Sequence, residues 1–220
     1  MNKKAFATLA LIGALASAHA DTTLISQGFD DVSALVPSSA GWIIKNMGTP
    51  GGLTQAWVQG GSDTSITAQS GAADSYITSN FNMAAAGGTL ASWLITPTFS
   101  TTNDVTVSFW AKADIAAPYF DQIKIGFLNA AGDLSTFSPT FTIKATGDWT
   151  QYTLNMSGTG AATSARFGIE YFGSADTSNL VAVDSLNITT VSAVPEVSSW
   201  QLMGLGLLAM GTIARRRKQA

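Results

Sequence analysis

The chain has 220 residues, a formal net charge of −3, 46% hydrophobic and 11% charged residues, and no cysteine; that length accommodates one large domain or two small ones. The charge is unevenly placed. Lys3, Lys4, Arg215, Arg216, Arg217 and Lys218 are terminal, so residues 21–193 keep only Lys45, Lys112, Lys124, Lys144 and Arg166 against 13 acids, a net −8. A body so charged repels phosphate backbones, which argues against nucleic acid as a partner. The only histidine, His19, also lies outside that body. Without His or Cys the body can build neither a Ser-His-Asp nor a Cys-His site, lacks the usual ligands of structural zinc, and forms no disulfide. Carboxylate chemistry, hard-metal binding or no catalysis are what remain.

Residues 1–20 open with Lys3 and Lys4, continue through an apolar run from Ala5 to Ala16, and close on Ala18-His19-Ala20. A positive start, a short apolar stretch and small residues flanking a cleavage point form the layout of a secretory signal peptide. The apolar run is too short for a retained anchor. Cleavage recognised through Ala18 and Ala20 leaves Asp21 as the mature start.

From there the pattern has period two. Val105, Val107 and Phe109 fall on one face of their segment, as do Ile123, Ile125 and Phe127, and Phe167, Ile169 and Tyr171 alternate with Arg166, Gly168 and Glu170. Such alternation marks strands with one face in a core. Further strands are expected at 41–45, 56–59, 75–80, 91–96, 137–144, 150–156 and 180–188. Turn chemistry separates them, as in Thr49-Pro50-Gly51-Gly52, Gly60-Gly61-Ser62-Asp63 and Ala130-Ala131-Gly132-Asp133. No helix interrupts the body. About ten strands at this spacing predict an all-β fold, a jelly-roll β-sandwich of two antiparallel sheets spanning residues 21–193 as a single domain. Ser and Thr make up 44 of these 173 residues; five tryptophans and the regular alternation distinguish the body from a glycosylated stalk of similar richness.

The body also resembles a known group. Gly28-Phe29-Asp30-Asp31, Gly41-Trp42, Ala68-Gln69-Ser70-Gly71 leading into Ser75-Tyr76-Ile77, and Ser92-Trp93-Leu94-Ile95-Thr96-Pro97 look like segments of choice-of-anchor J domains, and Ser108-Phe109-Trp110, Asp148-Trp149-Thr150 and Val183-Asp184-Ser185-Leu186 continue the likeness. Those domains are similar to the cleaved-adhesin and MAM-like jelly rolls of surface proteins. The resemblance implies a structural calcium joining an acid near the first strand to one on the last, which here designates Asp30 or Asp31 together with Asp184. Calcium takes six to eight oxygens, and backbone carbonyls would complete the shell. Asp184 stands out on its own account. It follows Leu180-Val181-Ala182-Val183, and a carboxylate buried in such a strand needs either a cation or a set of backbone amides.

Sugar faces stack on aromatic rings, and Trp42, Trp57, Trp110 and Tyr119 are the candidate glycan contacts, weighed against the commoner fate of packing in the core. Two carboxylates could in principle hydrolyse a glycoside, but nothing in so Asp-rich a chain marks one pair. No enzymatic activity is expected.

The last 27 residues reverse the logic of the first twenty. An uncharged stretch at 197–214 is followed at once by Arg215-Arg216-Arg217-Lys218. At ~1.5 Å per residue it reaches ~27 Å, enough to span a bilayer core as one transmembrane helix, with the basic end (215–218) on the cytoplasmic side. Val194-Pro195-Glu196, then Ser198-Ser199-Trp200, the Gly/Leu-rich stretch and Arg215, Arg216 and Arg217 resemble the PEP-CTERM sorting signal of Gram-negative bacteria. Val197 stands where that family has a second proline. The resemblance of this 194–220 tail implies recognition by an exosortase-like membrane enzyme, inner-membrane anchoring until processing, and a link to exopolysaccharide and biofilm. Together these readings describe an exported surface or extracellular-matrix protein with a non-catalytic adhesion role, the alternative being a carbohydrate-binding module that docks on exopolysaccharide.

Overall fold

A computed structural model describes residues 19–52, 56–61 and 66–193. Thirteen strands follow in chain order: β1 (His19–Gln27), β2 (Ile43–Asn46), β3 (Thr49–Gly51), β4 (Val58–Gln59), β5 (Ile77–Asn80), β6 (Ala84–Ile95), β7 (Phe99–Ser100), β8 (Val105–Ala113), β9 (Gln122–Asn129), β10 (Ser138–Lys144), β11 (Thr150–Met156), β12 (Ser164–Ser174) and β13 (Leu180–Ala193). Among the described residues the helical pieces are 3-10 turns of three or four residues, such as Phe81–Met83 and Ala175–Thr177. No helix there is long and apolar enough to cross a membrane. The 197–214 stretch, the sorting residues Pro195, Glu196, Arg215, Arg216 and Arg217, and Ala18 of the cleavage motif lie outside the described residues.

The strands form two antiparallel sheets. One runs β11-β8-β13-β5-β4 with β1 also on β13; the other runs β10-β9-β12-β6-β2, with β3 added to β6 and β7 to β12. Their facing sides enclose one large apolar cluster. On β8 every second residue from Val105 to Ala113 is buried, and Val107 and Phe109 meet Ile125, Phe167 and Ile169 from the opposite sheet in that cluster. The period-two expectation is therefore met where it was clearest, and β11 spans the expected residues 150–156.

Each sheet also has a partly covered outer face. Leu180 and Ala182, alternating with core-facing Val181 and Val183, join Tyr76 and Ile66 in a second cluster against which Ala68 and Trp149 pack. Trp93, Ile95 and Leu128 form a third, covered by Leu134 and Phe137 from the β9–β10 connection. This explains why Trp93-Leu94-Ile95 and Leu180–Val183 read as unbroken apolar runs: both faces of those strands are buried.

Four elements differ from expectation. β1 (His19–Gln27), not expected as a strand, begins two residues inside the expected signal peptide; Thr49–Gly51, expected as part of a turn, pairs with β6 as β3; β6 begins at Ala84 rather than at 91; and β7 is a two-residue strand on β12. Apart from β1 and Phe99, these segments hold few β-branched or aromatic residues. Neighbouring strands, rather than local preference, hold them extended.

Residues Asp21–Val191 form one compact unit that contains all three apolar clusters. The 21–193 fragment thus carries its own core.

Candidate ligand-binding end of the sandwich

The connections at one end of the sandwich are tied to each other by backbone hydrogen bonds. In the β8–β9 connection, the Asp114 amide donates to Leu180 O (3.1 Å), the Tyr119 amide to Ala116 O (2.8 Å) and the Phe120 amide to Thr177 O (3.0 Å). The Phe81 amide, after β5, donates to Asn179 O at 2.9 Å, and the Ala145 amide, after β10, donates to Asp121 O at 3.0 Å. Gly87 N–H donates to Asp176 Oδ1 at 2.8 Å. Four chain segments are thereby fixed relative to one another.

This fixed end presents aromatic rings to solvent. Phe81, Tyr119 and Phe120 are each 42% exposed. Two cavities share Tyr119: one of about 390 Å³, lined by Phe81, Asn82, Asp176 and Asn179 among others, and one of about 370 Å³, lined by Ile115, Phe120, Asp121 and Lys144. Lys144 Nζ stands 5.5 Å from the centre of the Phe120 ring.

Asp121 is the inner polar group of the second cavity. It is 1% exposed, and its Oδ1 accepts from the Tyr171 hydroxyl at 2.5 Å and from Asn179 N–H at 2.9 Å. Its Oδ2 is buried and has no hydrogen-bond partner; among the described residues only Trp57 Nε1 shares that condition. Burial raises the Asp121 carboxyl above the usual carboxylate range, against the opposing effect of its hydrogen bonds. Burial, together with the charge of Asp121, also holds the Tyr171 phenol above its ordinary value.

Of the four candidate glycan contacts, Tyr119 lies at this end. Trp57 is 1% exposed and sits in the main core, and with Trp42 it lines a separate cavity of about 520 Å³. Trp42 is half-buried, edge-on to Phe29 with ring centres 6.0 Å apart. Trp110 is half-buried on β8, opposite Gln151 of β11 and Asp184 of β13. The four rings do not form one platform. Phe81, Phe120 and Asp121 complete the end that Tyr119 occupies, and no local pattern singles them out: Asp121 reads as an ordinary acid before an alternating strand.

The three acids expected to hold calcium occupy different environments. Asp31 caps the 3-10 turn Val32–Leu35, accepting at Oδ1 from Ser33 N–H at 3.0 Å and from Ser33 Oγ at 2.5 Å. The Ser33 hydroxyl, chiefly, lowers its pKa. Asp184 is fully buried and finds backbone amides. Its Oδ2 accepts from Gln69 N–H at 2.8 Å and Ser70 N–H at 3.1 Å, and its Oδ1 from Ser185 N–H at 2.5 Å. Burial still raises its pKa. Asp30 is exposed, and its Oδ1 lies 3.2 Å from where a Cβ on Gly71 would stand. Asp30 and Asp184 thus flank the same Gln69–Gly71 segment. Among the described residues no group of three or more His, Cys, Asp or Glu is gathered, and the oxygens of Asp31 and Asp184 are directed at N–H and O–H donors. As placed, the three do not fit a shared carboxylate shell; Asp30 alone keeps a carboxylate with no donor on it among the described residues.

The fold is a cleaved-adhesin-like β-sandwich. It is similar to the K3 cleaved adhesin domain of Lys-gingipain from Porphyromonas gingivalis W83, with a TM-score of 0.59 and 18% identity over 77% of this chain and 99% of that one. The K1 domain of the same protein gives 0.58 and 21% over 76% and 97%, and the K2 domain 0.55 and 17% over 78% and 100%. At these identities what is shared is the fold. No protein-family profile matches the sequence, and no curated protein does.

Proposed function

We propose that the chain is exported through residues 1–20, sorted through residues 194–220 by an exosortase-type enzyme, and acts at the bacterial surface or in the extracellular matrix. Its jelly-roll body serves there as a non-catalytic adhesion domain. The observation that carries this reading is the end of the sandwich where Phe81, Tyr119 and Phe120 stand exposed on connections held by backbone hydrogen bonds. Exposed apolar rings gathered on a rigid rim mark a contact surface, whereas scattered single ones do not. Exopolysaccharide is its favoured partner, because the same rings adjoin two cavities whose walls carry a few polar groups among apolar ones, Asn82, Asp176 and Asn179 in one and Asp121, Lys144 and Thr146 in the other.

Attachment of the purified 21–193 fragment to matrix from the producing cells tests the reading. The triple variant Phe81→Ala, Tyr119→Ala, Phe120→Ala is expected to lose at least about tenfold in retention without a drop in melting temperature. Equal retention by the triple variant would overturn this end as the contact surface.

Calcium belongs to this proposal in a narrow form. With Asp30 as the one free carboxylate and backbone carbonyls as the other ligands, it would tie the start of the body to the Gln69–Gly71 segment. Few charged ligands place such a site among weak extracellular ones, with dissociation constants on the order of 10⁻⁴–10⁻³ M.

A further inference from the structure

The buried Oδ2 of Asp121 has no hydrogen-bond partner, although the Tyr171 hydroxyl and the Asn179 and Leu180 amides all act on the carboxyl. Its sister oxygen holds both Tyr171 and Asn179, and the backbone carbonyl of Asp121 accepts from Ala145. Leaving one oxygen of a 1%-exposed carboxyl without a donor disfavours folding. Asp121 is one of the residues that line the cavity of about 370 Å³, at the lower end of the size range of small-molecule sites, while Oδ2 itself is closed to solvent in the unliganded protein. A polar group left incomplete at a cavity wall is completed by what enters the cavity.

The walls restrict what can enter. Ile115, Tyr119 and Phe120 offer apolar and aromatic surface, while Asp121 and Lys144 place an acid and a base on the same lining. A cationic ligand meets the Lys144 ammonium, which already stands over the Phe120 ring. An anionic ligand meets Asp121 and a body of net charge −8. A neutral ring bearing hydroxyls suits both groups: it donates to Asp121, accepts from Lys144, and lays its C–H face on Tyr119 or Phe120. The adjoining cavity continues past Tyr119 to Phe81, Asn82 and Asn179, which extends the site beyond a single ring.

Resting on the contact surface described above, we propose that this end binds a neutral glycan chain. One pyranose unit sits between Tyr119, Phe120 and Asp121 with a hydroxyl on Asp121 Oδ2, and the next unit passes Tyr119 toward Phe81. Asp121 sets the position of the sugar, and the rings supply most of the contact.

The test is titration calorimetry of the 21–193 fragment with soluble cello-, laminari- and mannohexaose, with oligogalacturonate and chitosan oligomers as acidic and basic counterparts. At least one neutral hexaose is expected to bind. Asp121→Asn, which keeps the Tyr171 and Asn179 bonds but replaces the free acceptor by a donor, is expected to weaken it at least about tenfold. Tyr119→Ala should do the same, and Val36→Ala, at an exposed position elsewhere, should change nothing. Melting temperatures of all three variants are measured alongside, so a loss of binding by a variant that melts no lower than the parent is a local effect. Binding indifferent to Asp121→Asn, or preference for the acidic or basic oligomers, overturns the proposal and leaves the adhesion surface standing. So does absence of saccharide binding while the triple aromatic variant still loses matrix retention. Absence of both effects removes the contact surface as well.

Discussion

Polar side chains that hold this body together are of two kinds, and they respond to different perturbations. Arg166 directs its guanidinium at main-chain carbonyls: Nε at Ala130 O (2.8 Å), and Nη1 at Gly41 O (2.6 Å) and Thr96 O (2.8 Å). One side chain thereby ties together three connections far apart in sequence. Arg166→Leu is expected to destabilise the 21–193 fragment by about 3 kcal/mol in urea unfolding, since hydrogen bonds to a charged group contribute more than neutral ones. Arg166→Lys should recover less than half of that, because a point charge cannot span the fork. Asp121 behaves in the opposite sense. Its burial favours the protonated form in the folded state, so between the ordinary value near 3.8 and the raised one the native protein holds a proton that the unfolded chain has released. Stability then falls as pH rises through that window, and the full cost is present above it. Asp184 is shifted in the same direction by burial. Melting curves taken from neutral pH downward should therefore show a rising Tm as pH enters that window from above. Asp121→Asn should flatten the slope and melt higher than the parent at pH 7.

At the level of elements, the last strand shows how one acid organises a strand junction. β13 pairs with β8 on one side as far as Thr190, while on the other β5 reaches only Val183. A register shift between Asp184 and Asn187 inserts one extra residue, with Ser185 at φ 51°. The bulge restores Leu186 and Ile188 to the core face that Val181 and Val183 occupy. Asp184 turns outward and accepts the Gln69 and Ser70 amides that no strand pairs. The sequence identified Asp184 as an acid that needs partners, because Leu180–Val183 runs straight into it. It did not say which partner, since a bulge leaves no mark in an apolar run and the donors lie more than a hundred residues away. Asp31, designated a calcium ligand by the resemblance, is placed as the cap of the 3-10 turn Val32–Leu35. With Asp184 satisfied by amides, any calcium effect should depend on Asp30. About 10 mM calcium should stabilise the fragment by roughly 1.4–2.7 kcal/mol over chelator if the dissociation constant is on the order of 10⁻⁴–10⁻³ M, a Tm rise of about 3–10 °C. Asp30→Asn should abolish the rise and Asp31→Asn should keep it; a Tm that does not respond to calcium removes the ion from the proposal.

For the molecule as a whole, legibility followed how much of each segment's conformation is decided locally. Alternation located β8, β9, β11 and β12 because one face of each enters a shared core, and no competing period is present. The aromatic end could not be assembled in the same way: Tyr119, Phe120 and Asp121 are consecutive in the β8–β9 connection, but Phe81 joins them from the β5–β6 connection, and no spacing in the chain encodes that. The two ends, expected from composition and the resemblance, lie largely outside the described residues and remain proposals. Their consequence is the last prediction. A signal peptide ending at Ala20 requires a mature chain that begins at Asp21, and a tail processed near Pro195-Glu196 requires one that ends close by. All three apolar clusters fall between these points, so removing both segments leaves the core whole, and the processed form should melt as the 21–193 fragment does. Intact mass spectrometry of protein recovered from membranes and from culture medium should find the Asp21 start in both, with the shorter C-terminus in the medium. A chain that keeps Ala220 everywhere would mean that Val197, in the place of the second proline, prevents processing or that no exosortase acts on the tail. The proposed contact end would then work at the membrane surface, within the reach of its own tether, and its contribution to a detached matrix would be lost.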